Sequence, residues 1–345
     1  MSLNDQLSGI DPATYAPYDD PRDYITSWTD KIWISRGLGH LRDHYAPDVK
    51  VHTAYGETYG FDHVMRNSVQ RMSAFHNRGG GHDDVVWEQR GSDGFISSHR
   101  VLNTATHNGY WTYGPPTGKQ WVNRGTAHCL VRGGKVVEEW VMRDEFAVLQ
   151  DLGLDPFAIA GQLARSSPVL GEAISEVGGD GDAGAFAGSF PDPVRAGMSG
   201  ERPHRHDGEC RMVAEMFERV WNGRFLDEVT RFCADNIAVV SVRMRRAMGV
   251  ACYQNELIDL LAVVPDGQVT IRDFSTHWSP DLGLRVAAIW LMRGTYSGVP
   301  AYGPVNKAPV AILGSSHFEF RRGKIIREWR MFDEIALIAQ ILRAG

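Results

Sequence analysis

Residues 113–149 read YGPPTGKQWVNRGTAHCLVRGGKVVEEWVMRDEFAVL, and residues 302–338 read YGPVNKAPVAILGSSHFEFRRGKIIREWRMFDEIALI. The two stretches align without a gap at a constant offset of 189, and 14 of their 37 positions are identical. Gly125/Gly314, His128/His317, Gly134/Gly323, Trp140/Trp329, Met142/Met331 and Asp144/Asp333 are among the identities. Self-similarity over such a length marks a duplicated unit. Upstream the match continues: Asp84 meets Asp273, Gly60 meets Gly249, and Trp33 meets Trp221 with a one-residue slip. Two domains are expected, over residues 20–152 and 208–342.

Each copy opens with an amphipathic helical pattern, DYITSWTDKIWI in the first and ECRMVAEMFERVWN in the second. A second helix follows, around DHVMRNSVQRMSAF and YQNELIDLLAVV. Four extended segments come next, which in the first copy are DDVVWEQ, FISSHRVLNTATH, KQWVNRGTAHCLVR and KVVEEWVMRD. RGGK and RRGK between the last two are hairpin turns. Helices followed by antiparallel strands predict an α+β fold. Between the copies, residues 160–207 are rich in Gly, Ala and Pro. Two readings stand for them: a flexible linker, or a loop wrapped across a pocket.

Composition narrows the function classes. The chain has 345 residues, 43% hydrophobic and 23% charged, as expected of a globular protein. Its 36 basic and 42 acidic residues give a net charge of −6 without basic blocks, which argues against a nucleic-acid partner. No run of 18 apolar residues predicts a membrane span. Cys129, Cys210, Cys233 and Cys252 form no CxxC pair, and MSLNDQLSG lacks the apolar stretch of a signal peptide. A reduced, cytoplasmic protein without structural zinc is expected. Nucleotide-binding loops and the GxSxG nucleophile turn are absent. Ten Trp, eleven Tyr, fourteen Phe and thirteen His could line a cavity or pack a core.

The stretch ATHNGYWTYGPPTGKQW, followed by RGTAHCLVRGGKVVEEWVMRDEFAVLQDLGL, resembles the SnoaL-like polyketide cyclases. These lie within the wider nuclear transport factor 2-like (NTF2-like), or ketosteroid isomerase-like, superfamily. The resemblance covers most of residues 20–152 and, more weakly, residues 208–342. It implies two tandem cone-shaped domains, each a curved mixed sheet wrapped around helices with a deep apolar pocket. It also implies that the copies form within one chain the sheet-to-sheet dimer of such proteins, with homo-oligomerisation as a further option. In these cyclases a His and an Asp on neighbouring late strands move protons without a cofactor or metal. The matching residues are His128 and Asp144. In its aromatic and histidine content the chain is also similar to lignin-dimer lyases of the superfamily, which release formaldehyde from diarylpropane or phenylcoumaran diols. The implied function is a cofactor-independent lyase on a hydrophobic aromatic small molecule. The alternatives are a cyclase, hydratase or isomerase acting on a carbonyl substrate, and a non-catalytic small-molecule binder.

The first copy holds more of the polar groups. Even spacing puts His99, Asn103 and His107 on one face of their strand, and Trp140, Met142 and Asp144 on one face of theirs. His128, Asp144 and His99 are the expected catalytic residues, because imidazole and a partly buried carboxylate both transfer protons near neutral pH. His52, Tyr55, Asn103, His107 and Trp140 are the expected substrate contacts. Recurrence of His128 and Asp144 in both copies fits a second reading, a core histidine and a helix cap. His52, His99 and His107 form no HxH or HxxxH set with a carboxylate, and HRHD at 204–207 adjoins the linker, so no metal is expected. The second copy replaces PPTGK by PVNKA and HRVLNTATH by AIWLMRGTY. Its equivalent face is more apolar, which makes one active copy and one degenerate partner the expectation.

Overall fold

In HYAPDVKVHT the alternation of buried Val49 and Val51 with more exposed Lys50 and His52 builds a strand that the duplicated stretch does not announce. It is β1 (Tyr45–Thr53), followed by β2 (Gly56–Tyr59). The structure is a computed structural model that describes residues 6–166 and 206–344. Of the expected linker or pocket-wrapping loop, residues 167–205 lie outside the described residues, while residues 160–166 complete a helix. The chain divides into two compact units, the first ending at residue 159 and the second starting at residue 160.

In the first unit α1 (Pro21–Thr29) runs directly into a π-helical turn over Asp30–Ile34. Asp20 caps it by accepting from the Asp23 amide at 2.8 Å, and Pro21 occupies the first turn, where no amide donor is needed. A four-residue helix α2 (Leu41–His44) leads into β1 and β2, and α3 (Phe61–Ala74) follows. Then come β3 (Gly79–Gln89), β4 (Gly94–Thr106), β5 (Gln120–Arg132), β6 (Lys135–Arg143) and α4 (Glu145–Leu152), and α5 (Pro156–Ser166) carries the chain past residue 159. The sheet order is β2-β1-β6-β5-β4-β3. β1 lies parallel to β6, whereas β3, β4, β5 and β6 are antiparallel neighbours. The sheet is therefore mixed.

The second unit repeats this order with α6 (Asp207–Met216), a π-helical turn over Phe217–Asn222, α7 (Val229–Phe232), β7 (Cys233–Val240), β8 (Arg246–Met248) and α8 (Val250–Val263). β9 (Gln268–Ser279), β10 (Gly283–Thr295), β11 (Pro309–Arg321), β12 (Lys324–Phe332) and α9 (Glu334–Arg343) complete it. Its sheet reads β8-β7-β12-β11-β10-β9, with β12 parallel to β7. Two units of one α+β topology, consistent with tandem NTF2-like and SnoaL-like domains, therefore make up the described chain. Gly60 (φ 87°) and Gly249 (φ 91°) open α3 and α8 in a backbone region closed to most side chains, which explains that identity between the copies.

The two units differ in what fills them. In the first, odd-numbered residues of β4 and β5 face the helices: Phe95, Cys129 and Val131 pack in one core with Tyr24, Ile25 and Trp28 of α1. In the second, Trp290 is fully buried, and a Cβ on Gly314 would stand only 2.2 Å from its ring. Phe217, Trp221 and Phe332 surround that indole. The buried Arg330–Glu328 ion pair (2.9 Å) is tied in through Ser316, which accepts from Trp290 Nε1 at 3.1 Å and donates to Glu328 at 2.8 Å.

Candidate functional site

Strand register arranges the helix-facing side of the first sheet into rows. One row holds Trp87, Ser97, Cys129 and Glu139, and the next Val85, His99, Ala127 and Val141. A third holds His82, Val101, Gly125 and Arg143, and a fourth Gly80, Asn103 and Asn123. A narrow cleft on this side is lined by Trp33, Ser68, Arg71, Met72, Phe75, Arg78 and Trp121. Its walls are aromatic and its charged groups are guanidiniums.

A hydrogen-bond chain reaches into this interior. Asp30, in the π-helical turn, contacts His82 Nε2 at 3.0 Å, and His82 Nδ1 contacts His99 Nε2 at 2.8 Å. The Asp30 carboxylate is exposed, His82 is partly covered and His99 is buried. An ionised carboxylate only accepts, so His82 carries its proton on Nε2 and accepts on Nδ1 from His99 Nε2–H. His99 Nδ1 is then the free lone pair at the inner end, and it makes no hydrogen bond among the described residues. Burial, reinforced by His82 and nearby arginines, pulls the His99 pKa down to about 3 and keeps the ring neutral.

A second chain starts at Arg78. Its Nη2 donates to Asn103 Oδ1 at 2.6 Å, and Asn103 Nδ2 donates to Asn123 Oδ1 at 3.1 Å. That polarity leaves Asn123 Nδ2 and Arg78 Nε as buried donors without an acceptor among the described residues. Burial and then repulsion from Arg71 and Arg143 bring Arg78 down to about 9. Glu139 and Glu145 are pushed in opposite directions. Burial raises Glu139, although Arg143 and the donors Tyr45 (3.1 Å) and Cys129 partly offset it. Burial would also raise Glu145, but Arg71 at 3.0 Å and the Tyr113 hydroxyl outweigh it, and its carboxyl sits below the usual range.

The expected site residues divide between the two sides of the sheet. His99 and Asn103 face the helices, and His107 follows on the same parity, packed against Phe75 at 5.5 Å. The amide of Thr117 donates to His107 Nδ1 at 3.3 Å, so Nε2 carries the proton; it is buried without a partner among the described residues. His128 and Trp140 are cross-strand partners on the opposite side, and Trp140 is also paired with His52. His52 stacks on Trp140 at 4.8 Å and bridges Glu57 (2.9 Å) and Glu138 (2.7 Å). Tyr55 sits in the turn between β1 and β2. The Asp144 carboxylate caps α4 through the Ala147 amide at 3.2 Å, as Asp333 caps α9. The structure thus separates His128 from His99 and gives Asp144 a capping role. The histidines weighed as a metal set do not converge either, since His52 and His99 lie on opposite sides. Among the described residues no group of three or more His, Cys, Asp or Glu is placed to share a metal ion.

Asp30, His82, Arg71, Arg78, Asn123, Glu139 and Arg143 are the site groups that motif reading passed over. A signal for them was present in the repeat. At the offset of 189, Arg71, Arg78, His99, Asn103, Asn123 and Arg143 meet Leu260, Gly267, Ala288, Met292, Ile312 and Phe332. The same fold stands in the second unit without these polar groups.

Buried neutral histidines set the acid limb of stability. His99 (about 3) and His44 (about 4, lowered chiefly by burial) lie below the ordinary 6.5. Between those values the unfolded chain binds protons that the folded chain refuses, so stability falls as pH drops below 6.5 and is unaffected by these groups above it. Near pH 5 each contributes a slope of about 1.4 kcal/mol per pH unit. Urea unfolding at stepped pH checks this, and His99→Gln and His44→Gln should each remove roughly half of the combined slope.

Residues 211–341 match the family model of the SnoaL-like polyketide cyclases. A comparison with curated proteins gives no match. Among solved structures, the chain is similar to a SnoaL-like polyketide cyclase from Agrobacterium tumefaciens, with 22% identity over 38% of this chain and 96% of that one, at a TM-score of 0.32. It is similar to IdmH of Streptomyces antibioticus, a candidate polyketide cyclase, with 23% identity over 37% and 95% of the two chains and a TM-score of 0.32. A candidate SnoaL-like cyclase from Jannaschia sp. CCS1 shows 16% identity over 41% and 98%, at a TM-score of 0.36. With the family match in the second unit and the same strand order in both, the chain carries a SnoaL-like, NTF2-like fold in duplicate. No described helix is long and apolar enough to cross a membrane.

Proposed function

We propose that the first unit is an acid–base enzyme of the SnoaL-like kind, acting on a carbonyl-bearing small molecule in its helix-facing interior. The observation that carries this reading is the Asp30–His82–His99 chain, whose inner end is a neutral imidazole with an unbonded Nδ1. Such a nitrogen takes a proton from carbon next to a carbonyl. His99 Nε2–H then passes its proton to His82 Nδ1, and His82 Nε2–H passes its own toward Asp30, so no second charge builds up in the interior. The negative charge that develops on the carbonyl oxygen needs a donor already in place, and Arg78 offers one: Nε is buried without an acceptor among the described residues. Returning the proton at another carbon gives an isomer, and attack of the enolate carbon on a second carbonyl gives a ring. Glu139, its pKa raised by burial, is the second proton carrier.

The aromatic walls Trp33, Phe75 and Trp121 favour a flat, largely apolar substrate. They also support the second reading, a lyase that deformylates an aromatic diol with the same acid–base groups. Incubation with polycyclic β-keto esters, diarylpropane diols and phenylcoumarans, read by product mass and trapped formaldehyde, tests both. Turnover of the keto esters is the expected result. Formaldehyde with a conjugated product would move the assignment to the lyase, and no turnover on any member would count for a binder.

A further inference from the structure

Four helix-facing positions of the first sheet are less covered than their counterparts in the second. At the offset of 189, Val101, Ala127, Val141 and Arg143 are half-buried, whereas Trp290, Ser316, Arg330 and Phe332 are buried. Val101 lies on β4, Ala127 on β5, and Val141 and Arg143 on β6, all within the rows that face the helices. The same contrast holds on the helical side: Trp33, Arg71 and Met72 are half-buried, and Trp221, Leu260 and Leu261 are buried. An apolar residue in the middle of a strand, facing its own helices, is ordinarily covered. The first unit therefore keeps space where the second has none.

The largest single difference is Val101 against Trp290. In the second unit Trp290 pairs with Gly314, and its indole lies so close that a Cβ on that glycine would meet the ring at 2.2 Å. Trp221 at 5.5 Å and Phe332 at 6.3 Å flank the indole. The first unit repeats the glycine as Gly125, paired with Val101. A Cβ there would meet the Met142 carbonyl at 3.2 Å, and its nearest side-chain atoms would be Val101 Cγ2 and Arg143 Cγ at 3.7 Å, not a ring. Trp33, the counterpart of Trp221, is kept and lines the cleft. The floor and one wall of a ring-sized place are thus retained, and the side chain that fills it in the second unit is missing.

We infer that a planar fused-ring molecule lies against Gly125 in the first unit, in the place that the Trp290 indole takes in the second, and that Val101 keeps the place open. This placement rests on reading the interior as the site, and adds the seat of the substrate's ring and the side chain that limits its size. Val101 is two residues from His99 on the same face of β4, so a ring seated there lies beside the proposed base. Buried aromatic area supplies the affinity, and the ring needs no charge.

The probe is indole, titrated by calorimetry into the full chain and into its Val101→Trp and Val101→Met variants. Indole should bind the unaltered chain, about tenfold more weakly or worse in Val101→Trp, and with an intermediate loss in Val101→Met. Thermal unfolding without ligand is the second readout. A side chain that enters open space should leave the midpoint unchanged or raise it, whereas one forced into a filled core lowers it. Should Val101→Trp fail to fold, the more adaptable Val101→Met decides by the same two readouts. No binding of indole to the unaltered chain, undiminished binding in the folded variants, or a lowered midpoint in both would each overturn the inference. If indole behaves as expected while no carbonyl compound turns over, the reaction fails and the ring seat stands. If keto esters turn over equally well in folded Val101→Trp, the ring seat fails and the reaction stands.

Discussion

Replacing His99 by Gln should lower turnover by about 10²- to 10³-fold, the range general acid–base groups usually supply. Gln fills most of the imidazole volume and keeps a donor for His82 Nδ1, so the strand should stay in place while the basic nitrogen is lost. Substrate affinity should change little, because His99 acts on a proton rather than on binding, and the loss should appear in kcat. Asp30→Asn is expected to cost less, about tenfold, since it weakens the outer end of the chain and leaves the base itself. His128→Ala belongs to a different class: His128 lies on the other side of the sheet, so its effect should fall on stability and not on kcat. Steady-state kinetics beside a thermal midpoint for each variant separates these outcomes.

The largest stability effect should come from the second unit, at Arg330→Met. Arg330 and Glu328 are both buried and paired at 2.9 Å, and Trp221 and Tyr253 lie against the guanidinium at 4.5 and 5.3 Å. Removing the arginine strands a fully buried carboxylate, which costs about 3–5 kcal/mol. Arg143 of the first unit is half-buried, and among the described residues it holds no carboxylate in a close ion pair as Arg330 holds Glu328, so Arg143→Met strands none. The two substitutions should therefore move urea midpoints very differently, Arg330→Met downward and Arg143→Met little or not at all. A similar loss in both would mean that Arg143 supports the first unit as Arg330 supports the second.

Much of the fold is legible in the chain because duplication writes each structural requirement twice. Gly60/Gly249, the RGGK and RRGK turns and the capping pair Asp144/Asp333 recur since backbone geometry demands them. The same recurrence does not by itself tell a chemical role from a structural one. His128 and Asp144 stand out as identities, yet one lies on the side of the sheet away from the helices and the other caps a helix. Period-2 parity groups His99 with Asn103 and Trp140 with Asp144, but it does not say which side of a sheet the helices cover. That depends on long-range packing, here of Tyr24, Ile25 and Trp28 against Cys129 and Val131. β1 also escapes a reading of local signals, because it pairs in parallel with β6 across 88 or more residues and no tight turn announces it. His82 and Asp30 escape for a similar reason, since residues 52 apart meet only through the fold. What identifies the interior is the opposite of repetition: positions polar in one copy and apolar in the other.

The most direct test of the account is hydrogen exchange at carbon, measured by mass spectrometry in D₂O with a β-keto acid, for the unaltered chain, His99→Gln and His128→Ala. The account predicts enzyme-dependent deuterium uptake next to the carbonyl, reduced about 10²-fold or more in His99→Gln and retained in folded His128→Ala. Uptake that survives His99→Gln and disappears in folded His128→Ala would contradict it, and would place the chemistry on the other side of the sheet.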